Sequence, residues 1–301
     1  MESISLKHKC EYLLLRLTAA IVRRLSPRAA LTAGRGLGLL ALRFLPRRRA
    51  LAMENLRQAF PDMSSTELEQ ILRKNFAHMG ANGIEMLRLD MYRPGSSDLK
   101  ERFTVEGVEN LREALAMERG AILLGAHIGF WETSPFVLSE YGIGLDVVAK
   151  PMKNPLADNY FARLRETYGT EILNSRKGAR RILQSLRKGR VVGLLLDQHI
   201  SPPGSVVTEF FGRRAWTTTA ITNMAMKNQV PVVPVFSLRG EDGRHHMWIE
   251  PLLILEGEGN DAVRENTQRL TAIIEAAIRR DPSQWFWVHK RWRKSANRQP
   301  V

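Results

Sequence analysis

The sequence predicts an α/β fold, a mostly parallel central sheet sandwiched by helices, behind a basic helical extension at the N-terminus. Three observations predict it. From about residue 120 onward, short apolar runs alternate with segments of helical spacing, the pattern of parallel strands and their crossover helices. The first fifty residues hold eleven Lys and Arg against Glu2 and Glu11, with leucine-rich runs between them. The chain of 301 residues, 44% apolar and 25% charged with six Trp, is long enough to bury one sizeable core and too apolar for disorder.

The N-terminal region comes first. Between Tyr12 and Leu45 the apolar runs are cut at Arg16, Arg23, Arg24, Arg28, Arg35 and Arg43, so no stretch supplies the about 20 apolar residues of a simple spanning helix. The gaps 16→23, 28→35 and 35→43 are two helical turns each, which places these arginines on one side and leucines on the other. Pro27 divides the region into two helices. Such helices read as interfacial elements in the headgroup layer of an anionic membrane. A core-packed pair with a solvated basic face, or a long helix with snorkelling arginines, fits the same pattern. Arg16 interrupts the apolar run and no small-residue cleavage site comes after it, which argues against a secretory signal. The expected division is 1–50, basic amphipathic helices, and 51–301, the catalytic domain.

Ser64-Ser65-Thr66-Glu67 forms a capping-box pattern opening a helix through Ala77. Strands are expected at Ala121–Leu124, Leu145–Ala149, Val191–Leu196, Val230–Leu238 and Met247–Glu250. Helices are expected over 155–168, 178–188, 217–228 and 261–280, the last with Leu270, Ile273, Ile274, Ala277 and Ile278 inward.

Charge narrows the function classes. The net +14 divides into +9 in residues 1–50, +5 in 282–301 and zero between them. Two basic ends flanking a neutral body, with no zinc-finger spacing and no aromatic RNA-binding block, speak against a nucleic-acid-binding protein. Cys10 is the single cysteine, so no disulfide forms within the chain. A metal hydrolase built on His127, His199 and His245-His246 would lack any His-Glu-x-x-His or Cys-x-x-Cys motif.

The sharpest chemical signal is Leu123-Leu124-Gly125-Ala126-His127-Ile128-Gly129-Phe130-Trp131-Glu132. A buried strand ends at Gly125, and His127 falls in the turn at its carboxyl end, where α/β sheets place their ligand sites. Glu132 stands at the start of the next helix, in reach of one imidazole nitrogen, which would leave the other as a base. The bare alternative is a histidine satisfying a loop carbonyl beside a solvent-facing glutamate. Asp197-Gln198 ends a second strand at the same sheet edge if the strands are parallel, as a functional acid or as a cap on the next turn. Residues 163–190 hold nine Lys and Arg against Glu166 and Glu171, suited to lipid phosphate, to an acidic carrier surface, or to a solvated helix face. Trp285, Trp287 and Trp292 read as a tail packed on the core more than as interfacial anchors.

His127-x-x-x-x-Glu132 after a short apolar strand resembles the signature of the late acyltransferases of bacterial lipid A biosynthesis, the lauroyl and myristoyl transferases. Further blocks carry the resemblance over roughly residues 50–293: Asn55–Pro61, Lys150–Pro155 followed by Arg163-Leu164-Arg165 and Gly169, Leu195–Gln198, Phe210–Arg213, and Gln284–Trp292. The sequence departs from the family's pattern at Glu209 and in the unusually basic 163–190. Acyltransferases of mycobacterial phosphatidylinositol mannosides belong to the same wider group. The resemblance implies a glycerol-phosphate-acyltransferase-like fold and transfer of an acyl chain from acyl carrier protein to a hydroxyl of a membrane lipid, a lipid A precursor or another glycolipid or lysophospholipid. In that reading His127 is the general base, Glu132 orients it, and backbone N–H groups near Ile128–Phe130 or an arginine hold the oxyanion. Arg165, Asp197, Gln198 and Glu209 are then the expected substrate-binding residues, with Glu209 adding a hydrogen bond to the His127 network. Neither cofactor nor metal is called for. The protein is expected as a monomer on the cytoplasmic face of the inner membrane, peripheral or monotopic.

Overall fold

The computed structural model describes residues 4–92, 95–166, 169–174 and 178–292. Arg293, Lys294 and Arg298 of the basic tail, and Arg176 and Lys177 of the 163–190 stretch, lie outside the described residues.

Three helices lead the chain: α1 (Leu6–Arg24), α2 (Pro27–Phe44) and α3 (Pro46–Ala59). Ser5 caps α1, while Ser26 caps α2 with Pro27 at its first position, where a missing N–H costs nothing. Pro46 starts α3 in the same way, so residue 50 falls inside a helix. The box at Ser64 opens α4 (Ser65–Met86): Glu67 N–H donates to Ser64 Oγ at 3.3 Å and Ser64 N–H to Glu67 Oε2 at 2.8 Å. This helix runs well past Ala77. Against it α2 packs backbone to backbone. A Cβ on Gly38 would stand 1.9 Å from the Phe76 carbonyl oxygen, and one on Gly80 would stand 2.2 Å from that of Gly34. With this face of α2 buried by glycines, its leucines point elsewhere: Leu37, Leu40 and Phe44 are more than half exposed, as are Leu13, Leu14, Leu17 and Ile21 of α1.

The body continues as α5 (Ser97–Arg102), β1 (Phe103–Glu106), α6 (Val108–Ala116), β2 (Ala121–Gly125), α7 (Ser134–Ser139), β3 (Leu145–Ala149), α8 (Pro155–Glu166), β4 (Ile172–Asn174), α9 (Gly178–Arg187) and β5 (Val191–Leu195). A hairpin, β6 (Ser205–Phe210) and β7 (Arg213–Thr218), precedes α10 (Ala220–Asn228), β8 (Val232–Arg239), β9 (His245–Ile249) and α11 (Gly259–Arg280). Seven strands form one sheet in the order β1-β9-β8-β2-β5-β3-β4, parallel throughout except for β8 against β9. The expected α/β class with a mostly parallel sheet is therefore the observed one.

Strand alternation divides the core in two. Ile122, Leu124 and Val192 face α3, α4, α10 and α11, where Trp285 and Trp287 of the tail are buried among them. Ala121, Leu123, Val191 and Val235 face α6 and α7. The tail therefore packs inward, Trp285 being 1% exposed. Three expectations need correction. Residues 217–218 complete β7 instead of starting a helix, because Thr217 pairs with Val206 across the hairpin. Edge strands β1 and β4 add to the expected set; they are three or four residues long and have no apolar run to mark them. After the His127 turn the chain forms a three-residue 3₁₀ turn, Trp131–Thr133, before any α-helix begins.

Candidate active site

The site forms where β2 and β5 end side by side. Their register pairs Gly125 with Leu195, so residue 127 lies level with residue 197 two positions past the last pair. Asp197 uses both oxygens on His127. Oδ1 accepts from ring Nδ1 at 2.9 Å, and Oδ2 accepts from the His127 backbone N–H at 3.0 Å. Trp285 Nε1 also donates to Oδ2, at 2.7 Å. Burial pushes the Asp197 carboxyl up, but the charge of His127 and these three hydrogen bonds outweigh it and hold the group at about 2. His127 feels the reverse. Burial disfavours its imidazolium, yet Asp197, with a smaller contribution from Glu132, raises it above the ordinary histidine value.

A carboxylate on Nδ1 fixes the tautomer, so the neutral ring presents its lone pair at Nε2. The side-chain amide nitrogen of Gln198 stands 3.2 Å from that nitrogen, where it donates to the lone pair. Gln198 is itself held from behind. The buried Arg291 donates to the Gln198 carbonyl at 3.4 Å, to the Trp216 carbonyl at 2.6 Å and to Thr217 Oγ1 at 2.6 Å. Asp197 and Gln198 thus join the histidine, as the parallel strands required. Asp197 faces the ring and not the open space.

Glu132 takes a different partner from the one expected. Its Oε2 accepts from Arg165 Nε at 3.0 Å and Nη2 at 2.7 Å, so the carboxylate is committed to the guanidinium and not to the imidazole. The 3₁₀ turn carries Glu132 past the ring and toward α8, where Arg165 projects; Trp131 packs edge-on to His127 at 4.9 Å between centroids. Glu209 is also displaced from the cluster. It is the exposed residue of strand β6, its N–H and carbonyl bound by the Gln268 side chain of α11. The Gly129 N–H, expected among the oxyanion donors, is already given to the Gln284 carbonyl at 3.0 Å. His199 and His245 do not join His127: the former bonds Ser201 and the latter Glu85.

The turn itself is pinned from below, and nothing in the sequence pattern singles out the residues that pin it. Gly129 has φ +58, and a Cβ there would stand 1.7 Å from the Ser237 carbonyl oxygen, so only glycine fits. Its carbonyl accepts from Asn82 Nδ2 at 2.7 Å and from His78 Nε2 at 3.1 Å. Burial, followed by the charge of Arg239, pushes His78 down to about 3, so it serves as a neutral donor.

Two cavities flank the Trp131–Glu132 turn. In β2 and β5 the side chains at positions 125 and 193 are missing, since both are glycine, on the sheet face shared with Leu123 and Val235. A crevice of about 100 Å³ opens there, walled by Leu145, Val147 and Pro135, with Glu132 and Arg165 also in its lining. On the other side a cavity of about 270 Å³ lies between His127, Trp131 and Phe286 and the Met79–Met86 stretch of α4.

A histidine nitrogen thus stands at the end of a parallel sheet, fixed by a buried carboxylate and bordered by apolar cavities, an arrangement able to take up a proton beside an apolar group. The family model for bacterial lipid A biosynthesis acyltransferases matches residues 2–294, and the chain belongs to that family. It is an acyltransferase. It is 31% identical over 268 residues to the lipid A biosynthesis lauroyltransferase of Escherichia coli, covering 86% of this chain and 84% of that one. The lipid A biosynthesis palmitoleoyltransferase of the same organism is 28% identical, over 86% and 83% of the two chains. The myristoyltransferase is 26% identical, over 84% and 78%. Among solved structures, the 1-acyl-sn-glycerophosphate acyltransferase of Thermotoga maritima aligns with a TM-score of 0.39 at 14% identity, over 92% of this chain and 99% of that one.

Proposed function

We propose that the protein transfers a fatty acyl chain from acyl carrier protein to a hydroxyl of a lipid A precursor, with His127 as general base and no covalent enzyme intermediate. The observation that carries this reading is the Asp197–His127 pair, which leaves Nε2 as a base beside the apolar cavities. As the acceptor oxygen bonds to the thioester carbonyl carbon, its proton passes to Nε2. Collapse of the tetrahedral intermediate breaks the carbon–sulfur bond, and the imidazolium returns the proton to the departing thiolate. The acceptor hydroxyl takes the place of the Gln198 amide on Nε2, and that amide turns to donate to the developing oxyanion. The imidazolium is stabilised throughout by Asp197. The donor's acyl chain occupies the crevice opened by Gly125 and Gly193, and the Glu132–Arg165 pair keeps the carboxylate from the reacting centre.

The acidic carrier protein docks on the basic face of α9, where Arg180, Arg181 and Arg187 are exposed. The N-terminal helices hold the enzyme on the cytoplasmic face of the inner membrane, peripherally or monotopically. Among the described residues no helix is long and apolar enough to cross a membrane, while α1 and α2 expose leucines beside arginines. Burying each such leucine in the acyl boundary is worth about 1.5–3 kcal/mol, which does not weaken with salt as charge attraction does. The protein is expected to resist a high-salt wash of membranes and to yield to detergent.

The deciding experiment incubates purified protein with acylated carrier protein and a lipid A precursor and reads products by mass spectrometry. Expected is an acceptor heavier by one acyl group, with no acyl group on the protein itself in quenched samples. A stable acyl-enzyme, or donor consumption that leaves the acceptor mass unchanged, would overturn the reading.

A further inference from the structure

The cavity beside His127 does not end at Phe286. It shares Met79, Gly83 and Phe286 with a larger cavity of about 740 Å³, which continues between α2, α4 and the tail. The outer wall of that second cavity is Leu37, Ala41 and Leu45; Leu37 belongs to the exposed apolar face of α2, and Leu45, which follows that helix, is half exposed. The two cavities therefore meet at these residues shared between them and lie in succession between His127 and the surface that the leucines of α2 present. Their lining changes character along the way. Near His127 its exposed surface is mostly apolar, with Asn82, Glu132 and Gln284 among the lining, whereas its outer end carries the exposed cations Arg48 and Lys290 and, among the described residues lining that end, no carboxylate. Arg48 spends one N–H on the Val288 carbonyl at 3.1 Å, which fixes its stem and leaves the rest of the guanidinium available. Gly83 stands where the two cavities meet. It lies within helix α4, where glycine is the poorest choice after proline, and a Cβ there would meet no atom within 4 Å.

We infer that these two cavities form one groove, the acceptor's binding path: a lipid with a phosphate-bearing headgroup enters from the α2 face, its anionic group is held by Arg48 and Lys290, and its hydroxyl-bearing arm passes Gly83 to reach His127. The inference rests on the acyl-transfer reading above. It commits the α4 side of the Trp131 turn to the acceptor and leaves the Gly125–Gly193 crevice to the donor. The cations match an anionic headgroup, and the apolar walls match its chains. Both features lie on one route, with the exposed leucines at its mouth.

Gly83→Leu tests this without touching the site's hydrogen bonds, because it replaces a poor helix former by a good one in open space. The variant is expected to raise the KM for the lipid acceptor at least about tenfold while the donor KM stays unchanged, and Gly83→Ala to give a smaller rise. Arg48→Gln with Lys290→Gln is expected to raise the acceptor KM by about tenfold for a phosphorylated acceptor and not for its dephosphorylated form. A second readout needs no turnover. Detergent-dispersed phosphatidic acid with brominated chains should quench tryptophan fluorescence in the wild-type protein through Trp131, and not in Gly83→Leu. Unchanged kinetics and quenching in Gly83→Leu, or a raised donor KM in place of the acceptor KM, would overturn the groove. Quenching that depends on Gly83 in a protein that transfers no acyl group would support the groove and sink the acyl-transfer reading instead.

Discussion

His127 and His245 each hold a buried carboxylate, and of the two only His127 borders a cavity. His127 meets Asp197 at 2.9 Å and His245 meets Glu85 at 3.0 Å. Asp197 spends its hydrogen bonds on His127 and the neutral indole of Trp285, so its charge goes to the ring and raises the ring's affinity for a proton. At Glu85 the charge is shared. Arg239 donates to the same carboxylate, Tyr92 adds a hydrogen bond at 2.6 Å, and Arg239 also reaches His78 at 3.1 Å and Asn82 at 2.8 Å. Burial is the largest influence on His245 and, with Arg239, outweighs Glu85, so this ring is held below the ordinary histidine value. It stays neutral and donates Nε2–H to Glu85. Its other face is closed as well, stacked on Phe103 at 4.8 Å. In the proposed mechanism His127 can act as the base because its second nitrogen faces the cavity and no second cation shares its carboxylate. The closed pair has a mechanical role instead. Through Arg239, His78 and Asn82 it supports the Gly129 carbonyl beneath the open one.

The comparison breaks most sharply at the rings. His127→Ala should lower acyl transfer by about 10²–10⁴-fold with an unchanged melting curve. His245→Ala should melt earlier by about 1.5–3 kcal/mol of stability, since it strips one hydrogen bond from the Glu85 carboxylate, while its folded fraction turns over within a few-fold of wild type. Comparable turnover losses in the two variants, normalised to folded protein, would erase the distinction between the pairs.

The carboxylates sharpen it next. In the proposed mechanism transfer requires neutral His127, so the rate should rise with pH through an apparent value above the ordinary 6.5. Asp197→Asn removes what raises that value, so the limb should move to lower pH while the plateau falls by about 10²-fold or more. A limb that stays in place would show that Asp197 does not set the basicity of His127.

Glu85 should be visible in stability instead. Burial raises this carboxyl, but His245 and Arg239 depress it further, well below 4.5 in the folded state. A depressed acid contributes stability that is present above its unfolded value and lost as pH falls toward the folded one. Melting temperatures should therefore fall below about pH 4.5, and that fall should be shallower in Glu85→Gln. An equally steep acid limb in the variant would assign it to other carboxylates.

The smallest effect concerns the crevice. Gly193→Val places two methyl groups beside Leu145, whose Cδ1 is 3.3 Å from where a Cβ would stand. Competition between donors of different chain length should then shift toward the shorter by about tenfold, with the sum of transfer less affected. An unchanged preference would place the donor chain elsewhere.

Much of this is legible in the linear chain. The central strands at Ala121, Leu145, Val191 and Val232 are apolar runs between turns, a signal that needs no partner to be read. The Ser64–Glu67 box and the prolines at 27 and 46 act within a few residues of themselves. His127 at a strand's carboxyl end, and Asp197-Gln198 at a second, come from the same runs once the strands are taken as parallel. The features that escape are short or non-local. Strand β1 and the β6–β7 hairpin are defined by pairing across the sheet and not by apolar content. The partner of His127 is misassigned from sequence because Glu132 is near in the chain, while Asp197 is 70 residues away and is brought in by the register of Gly125 on Leu195. Arg165 reaches Glu132 across 33 residues, and Asn82 reaches Gly129 across 47. Local propensity and hydrophobic period are properties of neighbouring residues, so the sequence by itself determined the strands, the helices and which residues stand at their ends. Which of those ends touch, and so which acid serves which histidine, depends on register and packing between distant segments, and only the tertiary structure decided it.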